Sequence, residues 1–151
     1  MGSQLTLSDE LRKLVKTRME HTLEGIEDTL RRILENQEMS LKDLKEAIQS
    51  LEESFNLLSK KWNLEILYIL FLKTTIGFSG LKKILGVNSR TLSDKLKSLK
   101  QHRYIERAVE QGPPLRVNYS LTQTGRNTVL LALPLLYYSS SLTSIQTSSK
   151  I

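Results

Sequence analysis

Between Phe78 and Leu121 the apolar spacing changes from helical to alternating, and this change constrains the fold more than any other feature of the chain. Phe78-Ser79 opens a short predicted helix, with Ser79 as its cap and Leu81, Ile84 and Leu85 facing inward. Gly86 ends it, as glycine does just past a helix terminus. Asn88-Ser89 starts a second helix that runs to about His102, with Leu92, Leu96 and Leu99 as its buried stripe. Its opposite side carries Arg90, Asp94, Lys97 and Gln101, flanked by Thr91, Ser93, Lys95 and Lys100. Tyr104 to Val109 then reads as a strand, Gln111-Gly112-Pro113-Pro114 as a turn, and Leu115 to Leu121 as a second, alternating strand. A short helix, a glycine-containing turn and a second helix with a basic outer face make a helix-turn-helix pattern. The hairpin directly after it reads as a wing.

The surrounding segments fit that unit. Trp62 to Leu72 is densely apolar and contains no turn residue. Periodicity alone permits a strand there, but the length and the Lys60-Lys61 and Lys73 flanks favour a buried helix ending near Lys73. Thr74 to Gly77 is expected to be a loop. Thr122 caps a last helix bearing Val129, Leu130, Leu133 and Leu136, which Pro134 should end or kink. From Ser139 onward the chain is a Ser/Thr-rich tail, expected to fray.

The first third reads as two helices. From Ser8, taken as a cap, to Leu34, apolar residues recur at Val15, Met19, Leu23, Ile26, Leu30 and Ile33. At 1.5 Å per residue such a helix is about 40 Å long. A break follows around Asn36 to Ser40. Ser40 opens the second helix with Asp43 three residues on, close to a capping box. Its stripe is Leu41, Leu44, Ile48, Leu51, Phe55 and Leu58, a heptad spacing of coiled-coil type. A narrow seam needs a partner. Either the two helices of one chain cover each other, or the same helices of a second subunit do; symmetric homodimers are the commonest oligomers.

Charge divides the chain in the same way. Residues 1–58 hold 8 Lys/Arg against 12 Asp/Glu, a net of −4, while residues 59–127 hold 13 against 4, a net of +9. Residues 128–151 add only Lys150. The basic middle suits a phosphate backbone, which would repel the acidic first third. The chain has no cysteine, which excludes disulfides, cysteine metal sites and thiol chemistry. His21 and His102 are too isolated in sequence to suggest a metal site, and no cofactor or catalytic motif is present. The start lacks a signal-peptide pattern, and the longest apolar run, Val129 to Tyr138, is far shorter than the ~20 residues of a membrane span. The expectation is a cytoplasmic protein that is neither an enzyme nor membrane-bound.

The residue chemistry singles out a DNA-binding set: Lys82, Lys83, Asn88, Ser89, Arg90, Thr91, Ser93, Asp94, Lys95, Lys97, Arg107 and Arg116. Arginine can bond guanine bidentately in the major groove, while hydroxyls, lysines and helix-start amides hold phosphates. Arg107 and Arg116, on the wing arms, would reach phosphates or the minor groove. The plainer reading is that Ser89 merely caps, the charged face is merely solvated and Arg116 sits in a cross-strand ion pair.

Four segments resemble the HxlR-type winged-helix regulators, relatives of the MarR group: Lys61 to Leu67, Phe78 to Leu81, Ser89 to Leu96, and Pro113 to Thr122 followed by Gly125. The resemblance spans about residues 60–138. It implies a dimeric DNA-binding regulator, with a recognition role on Ser89 to Lys97 and a wing role on Gly112 to Arg116. Some members carry a redox-sensing cysteine ahead of the Lys-Trp pair; Phe55 to Lys61 contains none. About fifty residues of helix precede the matched region, and the wing is a residue longer near Leu115.

The expected fold is mainly α with a small β-hairpin wing: a winged helix-turn-helix preceded by a long α-helical extension. The division is residues 1–58 as a dimerisation or partner region, 59–138 as the DNA-binding domain and 139–151 as a tail. The expected function is sequence-specific binding of double-stranded DNA by a homodimeric transcription regulator, a repressor by promoter occlusion. The homodimer would form through the N-terminal helices and the C-terminal helix. The alternative is a winged-helix protein-interaction module without direct DNA binding.

Overall fold

The computed structural model describes residues 2–36 and 40–148. Its elements in order are α1 (Gly2–Asn36), α2 (Leu41–Ser59), α3 (Asn63–Lys73), β1 (Thr75–Gly77), α4 (Phe78–Leu85), α5 (Ser89–Gln101), β2 (Ile105–Glu110), β3 (Arg116–Leu121) and α6 (Gln123–Ser148). Residues group into two compact units: residues 48–130, and residues 1–47 with 131–151. Among the described residues, no helix is long and apolar enough to cross a membrane, and no cluster of His, Asp or Glu could hold a metal ion.

The unit of residues 48–130 is built around one apolar cluster. Ile66, Leu67 and Leu70 of α3, Leu81 of α4, and Leu92, Leu96 and Leu99 of α5 are buried together with Ile105, Tyr119 and Val129. The three α5 leucines are those the 4-and-3 spacing selects. Ile84 is the exception: it is 52% exposed, because Phe78, Leu81 and Leu85 set the side that α4 turns to the core and Ile84 falls beyond its edge. The three strands form one antiparallel sheet in the order β1-β3-β2.

Two local expectations change here. Residues 75–77 are a strand rather than a loop, with Thr75 opposite Ser120 and Gly77 opposite Asn118. Three residues are too few to show a period of two, and it is the free edge of β3 that recruits them. The strand runs directly into α4, so Gly77, with extended backbone, occupies the N-cap and Ser79 lies inside the helix.

Tight backbone junctions fix the unit's geometry. Trp62 and Thr74 bracket α3 with φ of 76° and 66°. Asn63 is buried, and its amide donates to the Leu57 carbonyl at 2.7 Å, tying α3 to the end of α2. Thr122 joins three elements: its backbone N–H donates to Tyr104 O at 3.1 Å, its hydroxyl donates to Arg103 O at 2.7 Å, and the same oxygen accepts from Gly125 N at 3.0 Å as the cap of α6. The start of α6 therefore lies so close to the chain between α5 and β2 that a Cβ at Gly125 would overlap the Tyr104 carbonyl oxygen.

In the other unit, α1 begins at Gly2, so Ser8 lies within the helix and does not cap it. The expected break begins after Asn36, and its residues 37–39 lie outside the described ones. Ser40 and Asp43 form the capping box: Asp43 N–H donates to Ser40 Oγ at 3.2 Å, while Ser40 N–H and Oγ–H donate to Asp43 Oδ2 at 3.1 and 2.6 Å. Those donors hold the Asp43 carboxyl below its ordinary pKa. Pro134 does not end α6, which continues to Ser148, through much of the segment whose composition suggested a tail. Proline removes one backbone donor and crowds the carbonyl four residues back, yet the helix continues past it, and Ser139 Oγ donates to Leu135 O at 2.9 Å within the same helix.

Candidate nucleic-acid interface

The candidate surface is assembled from α4, the turn after it, α5 and the β2–β3 hairpin. Gly86 closes α4 in the left-handed region, φ 66° and ψ 30°, with its N–H donating to Lys82 O at 3.0 Å. Two residues later Asn88 caps α5, its Oδ1 accepting from Thr91 N at 2.8 Å. Asn88, not Ser89, is therefore the cap, which leaves the Ser89 hydroxyl exposed in the first turn. Because Leu92, Leu96 and Leu99 are buried, helical geometry turns Arg90, Ser93, Asp94 and Lys97 outward, and all four are exposed; Ser89, on the leucine side, is exposed because it opens the helix. Thr91 and Lys95 are half-buried at the flanks, and Lys82 and Lys83 are exposed at the end of α4.

The hairpin has Glu110 opposite Arg116 and Arg107 opposite Tyr119. Strand alternation therefore puts Arg107 on the face shared with Ile105 and Tyr119, and Arg116 on the other face with Glu110 and Asn118. The two wing arginines are exposed but point to opposite sides of the ribbon. The Glu110 carboxylate accepts from Asn118 Nδ2 at 3.2 Å instead of pairing with Arg116. Among the described residues, the ion pair present is Arg31–Glu27 in α1, and none engages Arg90, Lys97, Arg107 or Arg116. The turn between the strands includes a cis bond between Pro113 and Pro114.

Sequence reasoning missed Arg103. It sits just past α5 with φ 62°, where its N–H donates to Lys100 O and the Tyr104 N–H donates to Leu99 O, both at 3.0 Å. This is a Schellman closure, in which glycine is the usual occupant. An exposed arginine there, beside Lys100 and Arg107, borders a shallow groove of about 470 Å³ between the end of α5 and β2. The signal was available in the basic series Lys97, Lys100, Arg103 and Arg107, but the left-handed backbone was not. His102 Nδ1 lies 2.8 Å from Ser98 O, a local contact within the helix end.

A family model described as HxlR-like helix-turn-helix matches residues 57–140. An uncharacterized HTH-type transcriptional regulator of Bacillus subtilis (strain 168), YdzF, is 35% identical over 72 residues. That match covers 47% of this chain and 66% of the relative, just under two thirds of its length. Among solved structures, the reduced form of the transcriptional regulator YodB from B. subtilis superposes with a TM-score of 0.55 at 25% identity, covering 67% of this chain and 91% of the other. A transcriptional regulator of the MarR family from Enterococcus faecalis V583 shares the fold, with a TM-score of 0.58 at 23% identity over 76% of this chain and 97% of that one.

Proposed function

Since this chain belongs to the HxlR-like helix-turn-helix family, a family of transcriptional regulators and not of enzymes, we propose that it binds double-stranded DNA in a sequence-specific manner and represses transcription by occluding promoters. The observation that carries this reading is the open polar side of α5: Arg90, Ser93, Asp94 and Lys97 are exposed together, while the opposite side is anchored by three buried leucines. A helix fixed this firmly along one side can enter the major groove without rearranging the core. In this reading Arg90 reads a base edge. Asn88, Ser89, Thr91, Ser93, Asp94, Lys95 and Lys97 supply the remaining recognition-helix contacts, and Lys82 and Lys83 meet phosphates.

The hairpin acts as the wing on the adjacent backbone or minor groove. With Arg107 and Arg116 on opposite faces of the ribbon, one of them lies nearer the duplex than the other. Arg107 is the candidate, because it shares the groove at the end of α5 with Lys100 and Arg103. The active species is a homodimer, through the N-terminal helices and α6, because reading both halves of a palindromic site needs two recognition helices.

Selection of binding sites from random duplexes at two salt concentrations tests the proposal. A single enriched motif is expected. Arg90→Ala should then cost about 1–3 kcal/mol at one base position, whereas Lys83→Ala should weaken all sequences alike and lower the salt slope by about 1. No enrichment, together with salt-insensitive capture of a protein partner, would replace DNA binding with a protein-interaction role.

A further inference from the structure

The β2–β3 hairpin is charged along its arms and uncharged at its tip. Gln111, Gly112, Pro113, Pro114 and Leu115 carry no charge, and all five are exposed. Leu115 is 70% exposed, and Val109, one residue before the end of β2, is 43% exposed although it lies opposite Val117. The core does not account for an apolar side chain at position 115. The apolar cluster takes Tyr119 from β3, with Val117 and Leu121 packed against it, and ends short of the tip. A hairpin that only lay along phosphates would gain from Lys or Arg at its end. This one keeps its arginines on the arms and carries a bare leucine beyond them.

Strand register also gives the two faces of the ribbon different charge. Glu106, Glu110 and Arg116 share one face, where the Glu110 carboxylate accepts from Asn118 Nδ2. Of the strand residues on the other face, Arg107 alone is charged, and its neighbours there are Ile105, Val109, Val117 and Tyr119. The Arg107 face therefore holds a cation and no carboxylate, and it is the face that a polyanion can approach.

We propose that the wing tip is an apolar wedge: Leu115 enters the minor groove beside the base pairs that α5 reads and partly unstacks one base step, while Arg107 holds phosphates at the groove rim. This rests on the DNA-binding reading above and adds to it a second, indirect source of sequence preference. At about 3.3 Å per residue, Arg107 stands about 13 Å back from residue 111 at the tip. The minor groove is about 7.5 Å deep, so a tip on its floor leaves Arg107 level with the phosphates. The groove is only about 6 Å wide, and the backbones of two paired strands are already about 4.8 Å apart. Entry of the tip therefore opens the groove and bends the duplex toward the major groove, where α5 lies. Pyrimidine–purine steps unstack most easily, so the wedge selects them without a hydrogen bond to any base.

Leu115 lies outside the core, so its replacement should leave urea unfolding of the full-length chain unchanged. Site selection should place a TA or CA/TG step at a constant distance from the motif read by α5. Exchanging that step for a stiff A-tract should weaken the parent about tenfold and Leu115→Ala by no more than about twofold. A 2-aminopurine placed in the step should brighten when the parent or Leu115→Met binds and stay dark with Leu115→Ala. Equal step preference and equal brightening in the parent and Leu115→Ala would overturn the wedge. So would a Leu115→Lys chain that binds every duplex more tightly with its step preference intact, the behaviour of a tip riding on phosphates. Loss of a protein partner by Leu115→Ala, with duplex binding unchanged, would give the tip to that partner instead. A parent that enriches a motif without step preference or brightening removes the wedge and leaves DNA binding standing; a parent that enriches nothing removes both.

Discussion

The same substitution, glycine to alanine within a helix, should have opposite signs at two positions of this chain. Alanine ordinarily gains about 0.5–1 kcal/mol over glycine in a helix interior, because it has less backbone freedom to lose. Gly25, in α1, has nothing within 4 Å of an added Cβ, so Gly25→Ala should show that gain. At Gly125 the added carbon would overlap the Tyr104 carbonyl oxygen, with the carbonyl carbon at 3.0 Å and Leu121 Cδ2 at 3.2 Å. The overlapping atom is main chain and has no rotamer by which to move aside. Relief requires α6 to shift away from the α5–β2 junction, which strains the 3.1 Å bond from Thr122 N to the same carbonyl. Overpacking of this kind costs about 1–3 kcal/mol, and a lost backbone bond adds about 1. After the helix-propensity gain is subtracted, Gly125→Ala should destabilise by about 1–3 kcal/mol. For a domain of this size each kcal/mol lowers Tm by about 4–8 °C. Urea unfolding followed by circular dichroism measures the change, with tryptophan fluorescence reporting on residues 48–130 through Trp62. A Gly125→Ala chain as stable as the parent would refute the close approach on which the α6 start depends.

Three further outcomes follow from local geometry. Asn88→Ala removes the acceptor for Thr91 N and should cost about 0.5–2 kcal/mol by denaturation, fraying the first turn of α5 and weakening duplex binding beyond what the stability loss explains. Arg103→Gly should relieve the left-handed backbone by about 1 kcal/mol and raise Tm, yet lower duplex affinity; tighter binding would remove Arg103 from the interface. The Asp43 carboxyl has a depressed pKa when folded, so its contribution to the start of α2 is full above the ordinary aspartate range and is lost as pH falls through the folded value. Carboxyl titration by NMR should show the depression in the parent and a partial return toward the ordinary value in Ser40→Ala, which loses the hydroxyl donor and keeps the backbone one.

Much of the molecule is determined by its local sequence. The leucine spacing of α5, the glycine after α4, the Ser40–Asp43 box, the Thr122 cap and the alternating arms of the wing are signals that act within a few residues, so they can be read without knowing what lies across the core. The exposed character of Arg90, Ser93 and Lys97 follows from the same spacing, because burying one side of a helix dictates the other. Tertiary structure decided what depends on residues distant in the chain. Residues 75–77 become a strand only because β3 offers them an edge. Ile84 stays in solvent because the core meets α4 through Phe78, Leu81 and Leu85 and nothing covers the side beyond them. Arg107 and Arg116, equivalent by composition, are separated by strand register onto opposite faces of one ribbon. Gly125, unremarkable in sequence, is required by a carbonyl contributed from the far side of the wing. Short-range periodicity fixes which side of an element is apolar; only the folded chain fixes which atoms that side meets.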